Sequence, residues 1–133
     1  MIKLLLYLAV LCGSSSELTV NISGMESVKG SVYIAVFKDP KTFPVFGKQW
    51  RGESIPVTKK SMSYSFINIP HGTYAISVFH DENNNGILDK NALGMPLEPY
   101  GFSRNARARF SAPPFEDAQI ELKGKRAIEI KIK

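Results

Sequence analysis

Apolar and polar residues alternate along most of this chain. Leu18, Val20 and Ile22 alternate with Thr19, Asn21 and Ser23, the period-two pattern of a strand with one buried face, and Gly24 stops it. Residues 30–38 form the next run. Val32, Ile34 and Val36 point one way and Tyr33, Ala35 and Phe37 the other, so both faces are apolar and a central strand is predicted. Residues 53–60 and 61–69 read as two more strands, with Met62, Tyr64 and Phe66 set between serines in the second. Ile69-Pro70-His71-Gly72 carries proline and glycine where a type I turn favours them. Tyr74, Ile76 and Val78 then alternate with Ala75, Ser77 and Phe79 in a second central strand. Residues 118–122 predict a short strand. Residues 127–133 predict a clear one, with Ile128, Ile130 and Ile132 inward and Glu129, Lys131 and Lys133 outward.

No window holds a helical period over ten residues. Residues 41–52 show no period and read as a loop with at most one helical turn. Residues 90–116 are rich in proline and glycine and allow at most a short strand near 106–110. A loop this long in a compact domain is usually functional or disordered, and Tyr100, Phe102, Phe110 and Phe115 argue that it packs down. The expected fold is all-β: an antiparallel Greek-key β-sandwich of about seven strands with one long irregular loop.

Composition adds a compartment. One positive charge at Lys3, an apolar run through Cys12 and the small residues Gly13-Ser14-Ser15-Ser16 predict an export signal over 1–16 and a single domain over 17–133. The apolar run is too short to span a bilayer, so the mature chain is expected to carry no transmembrane span. Plain cleavage near Ser16 is favoured over lipid attachment at Cys12, because Leu11 stands where a small residue is wanted. Cys12 is the only cysteine, so no disulfide framework is available and the fold rests on its core. The formal charge is +5, with basic residues concentrated after Arg104. A solvated face or attraction to anionic envelope material fits this charge. Nucleic acid is disfavoured by the export signal and the absence of a binding motif.

Candidate chemistry centres on His80-Asp81-Glu82-Asn83-Asn84-Asn85-Gly86-Ile87-Leu88-Asp89, which reads D-x-N-x-N-G-x-x-D from Asp81. Calcium takes six to eight oxygens, and a calcium loop supplies them at alternating positions around a glycine turn. Asp81, Asn83 and Asn85, the Ile87 carbonyl and Asp89 fill the first five ligand positions. Ala92 stands where a helix-loop-helix site has its bidentate glutamate, so that motif is incomplete. Glu98 is the first candidate for the missing carboxylate, with Glu82 and Asp117 as alternatives. Asn, Asp and Gly also favour turns without any metal. The expected calcium is structural, and with few charged ligands its affinity belongs in the range of roughly 10⁻⁴ to 10⁻³ M.

Two further sites merit weighing. His80 beside Asp81 or Glu98 could act as a general base in a small hydrolase, a role that requires an open cleft. A hydrogen-bonded histidine at the core edge is the commoner case. Trp50, Tyr100 and Phe102 with Arg104 could form an aromatic glycan platform, although anchoring of loops by packing is the commoner use of such residues. With two histidines and one cysteine no zinc site is apparent.

Several motifs in one order give the chain a family likeness: Ile69-Pro70-His71-Gly72-Thr73-Tyr74-Ala75, His80 to Asp89, Gly94-Met95-Pro96-Leu97-Glu98, Tyr100-Gly101-Phe102-Ser103 and Pro113-Pro114-Phe115-Glu116-Asp117-Ala118. The run from Phe66 to Asp117 resembles the bacterial exported family called domain of unknown function 2141. It departs at Arg104, where asparagine is expected. The resemblance implies an exported domain, periplasmic or surface-exposed, of transthyretin-like or immunoglobulin-like sandwich type. Its Pro-x-Gly-x-Tyr turn is similar to that of carboxypeptidase regulatory-like domains. It implies no reaction. The sequence therefore leads to a non-enzymatic exported module with a calcium loop, binding or scaffolding an envelope protein or glycan. Glycan binding and hydrolysis through His80 stand as alternatives.

Overall fold

A computed structural model describes residues 15–109 and 111–133. Most of the predicted export signal, Cys12 included, and Phe110 lie outside the described residues. Two sheets pack face to face. β1 (Ser15–Ser23), β4 (Met62–Pro70) and β8 (Lys125–Lys131) form a three-stranded sheet in the order β4-β1-β8. β2 (Ser31–Phe37), β3 (Arg51–Pro56), β5 (Gly72–Asp81) and β6 (Tyr100–Phe102) form the second in the order β3-β2-β5-β6, and β7 (Ile120–Leu122) pairs with the start of β5. A four-residue helix, α1 (Phe115–Ala118), and a 3-10 turn (Ser103–Asn105) complete the described elements. Among the described residues no helix is long and apolar enough to cross a membrane.

The alternating residues do what their period predicts. Leu18, Val20 and Ile22 of β1 and Ile128 and Ile130 of β8 meet Val32, Ile34, Val36, Ile76 and Val78 across the sandwich in one buried cluster. Both faces of β2 and β5 are covered, as expected of central strands. On the outer face, Ala35, Phe37 and Ala75 lie under Phe43, Phe102, Phe115 and Ala118. Phe43 makes edge contacts with Phe37, Phe102 and Phe115 at centroid separations of 5.4, 5.6 and 5.8 Å. The two irregular segments thus pack down on their aromatic residues, each buried ring removing apolar surface from water.

Four features depart from the sequence reading. β1 and β8 pair in parallel, Glu17 opposite Lys125 through Ser23 opposite Lys131, so the sandwich is not wholly antiparallel. Alternation has no direction, so the pattern of β8 fits either orientation. β1 begins at Ser15, two residues inside the predicted export signal, with Ser15 and Ser16 paired to Pro70 and Ile69. No strand occupies 106–109; the pairing falls instead on Tyr100–Phe102, opposite Ser77 to Phe79. Finally, the β1–β4 register slips between Ser16 and Leu18, because β4 carries one extra residue between Phe66 and Ile69. Asn68 takes a left-handed φ of 57° there, which lets both Phe66 and Ile69 point inward.

Candidate functional site

β5 ends at Asp81, whose strand position opposite Ser31 holds its carboxylate at the sheet's edge, 5% exposed. The following loop wraps around that carboxylate. Asn85 N donates to Asp81 Oδ1 at 3.2 Å and Gly86 N to Oδ2 at 2.8 Å. Gly86 has φ +81°, the sharp turn expected of it, and this aims its N–H back at Asp81. Asn83 Oδ1 accepts from Asn85 N at 3.3 Å, and Asn85 Oδ1 from Ile87 N at 3.1 Å. The loop closes on Asp89, whose two oxygens accept from Asn83 Nδ2 and Asn85 Nδ2, both at 2.7 Å.

Glu98 returns from the long loop to the same place. It is 8% exposed, and its Oε2 accepts from Glu82 N at 2.8 Å and its Oε1 from Asp89 N at 3.1 Å. One buried carboxylate thereby clips both ends of the 82–89 segment. Glu82 turns elsewhere and accepts from Ser27 Oγ at 2.9 Å, while Asp117 lies in α1. Hydrogen bonds from the amides of Asn85 and then Asn83 hold the Asp89 carboxyl below its ordinary range. Desolvation opposes them less strongly, and Glu98 adds a still smaller contribution in the lowering sense.

The loop thus brings Asp81, Asn83, Asn85, Asp89 and Glu98 together. Its donor chemistry suits a hard cation weakly. Among the described residues no group of three or more His, Cys, Asp or Glu forms a metal cluster. The donors are instead two loop carboxylates, two side-chain amides and the Ile87 carbonyl. A half-turn of each Asn amide would bring its oxygen to the side of Asp89, at the cost of the bonds those oxygens now accept from Asn85 N and Ile87 N. Calcium would be held by Asp81, Asn83, Asn85, Ile87 and Asp89, with Glu98 bracing the loop through its backbone.

His80 is the clear correction. It is 0% exposed, with Nε2 against the Lys29 carbonyl at 2.7 Å and Nδ1 buried without a hydrogen-bond partner. A general base needs access to a reacting proton, and this ring has none; its even position on β5 turns it inward with Val78. The proposed glycan residues are not brought together either. Trp50 packs on the inter-sheet core beside Tyr74 at 5.7 Å, under Lys38. Tyr100 and Phe102 belong to the outer-face cluster. Arg104 is exposed and donates to the Glu116 carbonyl at 3.4 Å, whereas Arg107 stacks on Tyr100 at 4.5 Å.

Ser103 escaped the sequence reading. Fully buried, its Oγ accepts from Ile76 N at 2.9 Å and donates to the Ala118 carbonyl. It fills the interval on β5 between the pairings with β7 and β6. A lone serine gives no periodic signal; only its place in Tyr100-Gly101-Phe102-Ser103 set it apart.

Among known proteins, the family DUF2141, described as "Uncharacterized protein conserved in bacteria", matches residues 20–130, from the middle of β1 to the penultimate residue of β8. No curated protein and no solved structure matches the chain.

Proposed function

The chain belongs to DUF2141, a family of uncharacterized proteins conserved in bacteria, and we propose that it is an exported binding or scaffolding module of the cell envelope whose 81–89 loop takes up calcium as a structural brace. The observation that supports this reading is the convergence of Asp81, Asn83, Asn85 and Asp89 around one turn, clipped by the buried carboxylate of Glu98. Glu98, nine residues beyond Asp89, fixes both ends of the loop and so holds these oxygens in one place. Bound calcium would neutralise Asp81 and Asp89 and tie the end of β5 to the long loop. That leaves the loop's surface rigid enough to present to a partner.

Thermal unfolding in calcium, in magnesium and in chelator tests this. A ligand that binds only the folded state stabilises it by RT ln(1 + [L]/Kd). For a Kd of about 1 mM and calcium at about 10 mM, that is about 1.4 kcal/mol, or roughly 5 °C in a domain of this size. The expected result is a rise specific to calcium and lost in Asp81→Ala and Asp89→Ala. Identical melting in calcium and chelator would sink the reading. Export is tested by fractionating expressing cells and sequencing the N-terminus of the protein recovered outside the cytoplasm.

A further inference from the structure

The outer face of the five-stranded sheet is covered unevenly. Between the 38–50 loop, the segment after Leu88 and the residues Ala108, Arg109, Ser111 and Ala112 a cavity of about 180 Å³ remains. Its origin is side-chain size. Ala35 and Ser77 sit directly opposite each other on β2 and β5, and both line the cavity between the large rings of Tyr33, Phe79 and Phe102. Two small side chains among large ones leave a hollow with an aromatic wall. Phe46 and Met95 stand at its edge 47% and 43% exposed, large apolar groups that the fold leaves uncovered.

The charges at this hollow have one sign. Lys90 and Arg109 line it, and no carboxylate does so among the described lining residues. Lys90 makes no ion pair among the described residues. The Ser77 side chain, half-buried in the wall, adds a hydroxyl beside the apolar surface. A binding site with this make-up takes a ligand whose body is apolar and whose single polar end is an anion. Size narrows the class further, since a cavity of about 150 Å³ holds one benzene ring.

We propose that this cavity binds a small apolar carboxylate, with one ring or a short acyl chain in the aromatic hollow and the carboxylate at Lys90. The site uses none of the loop oxygens assigned to calcium, so it stands or falls separately from that reading.

The test is a titration of the isotope-labelled protein, followed by amide NMR, with benzoate and with hexanoate. Benzyl alcohol and hexanol serve as neutral counterparts. Saturable shifts centred on Tyr33, Ser77 and Tyr100 are expected with the carboxylates, and the stronger of the two identifies ring or chain. Lys90→Gln, on the exposed rim, is expected to weaken binding about tenfold. Ser77→Leu fills the hollow and is expected to abolish binding, with the melting curve reporting that the fold persists. The absence of shifts at millimolar ligand overturns the proposal. So does equal binding of the neutral counterparts with no effect of Lys90→Gln, which would make the hollow apolar only. Shifts confined to Phe46 and Met95, appearing only with phospholipid vesicles, would assign the rim to a membrane surface and equally overturn it.

Discussion

Ser103 does with one oxygen what a strand does with a ladder: it receives the Ile76 N–H and hands a hydrogen to the Ala118 carbonyl inside a fully buried space. Truncating it to alanine leaves a backbone donor and acceptor without partners in a place water does not reach. The expected loss is roughly 1–3 kcal/mol for such a site, read by urea unfolding. Arg104, next along the chain, carries the opposite opportunity. Its φ of 60° places it in the left-handed region, where a long L side chain is disfavoured and asparagine is tolerated. Arg104→Asn, which restores the residue the family resemblance leads one to expect, should raise stability by roughly 0.5–1 kcal/mol, provided that the Glu116 carbonyl finds solvent in place of the guanidinium. A melting temperature unchanged or lowered in that variant would show that the Arg104–Glu116 contact outweighs the backbone preference.

At the scale of elements, the 81–89 loop couples its stability to acid. The Asp89 carboxyl is held below its ordinary value of 3.8 by the two asparagine amides. A depressed folded-state value means that the deprotonated form contributes stability above the ordinary carboxylate range. That contribution is lost as pH falls through the folded value. Urea unfolding of the wild type and of Asp89→Asn should therefore differ most near neutral pH and converge in acid below the ordinary value. A gap that persisted undiminished in acid well below the ordinary value, or that closed above it, would contradict the assigned cause. Much of this loop was legible in the sequence: oxygen side chains at alternate positions, Gly86 at the turn, and Glu98 as the returning carboxylate. That Glu98 grips backbone N–H groups was not legible, because motif spacing names ligands and not the N–H groups that turn toward them. The strands were legible where alternation ran for six residues or more, as in β1, β2, β5 and β8. β6 has three residues, too few to show a period, and its pairing is fixed by the Tyr100-to-Phe102 backbone meeting β5. The extra residue at Asn68 likewise leaves no mark in the pattern, since Ile67 and Ile69 are both apolar and only tertiary packing chooses Ile69 to bury.

For the whole molecule, the decisive relation is that the first and last described strands are neighbours. β1 meets β8 over seven consecutive residues, with more than a hundred residues of chain between partners. Contacts so distant in sequence make closure late and folding slow. Gly101 shows how closely this sheet approaches the other: a methyl group added there would lie 2.9 Å from Ile130 Cγ2 and 3.0 Å from the Lys131 carbonyl. The parallel sense of the pair has a mechanical consequence. Force applied at Ser15 and Lys131 draws the two strands past each other along their length, so the rungs between them bear the load together. Force applied at Ser15 and His71 acts at one end of the antiparallel β1–β4 pair and opens its rungs in succession. Rupture under load reports the unfolding barrier rather than the equilibrium stability. Single-molecule pulling should accordingly give a higher rupture force for the first attachment than for the second, and equal forces would refute the clamp. A domain wired this way yields easily to a sideways peel, yet along the line joining its two ends it behaves as a short, stiff link.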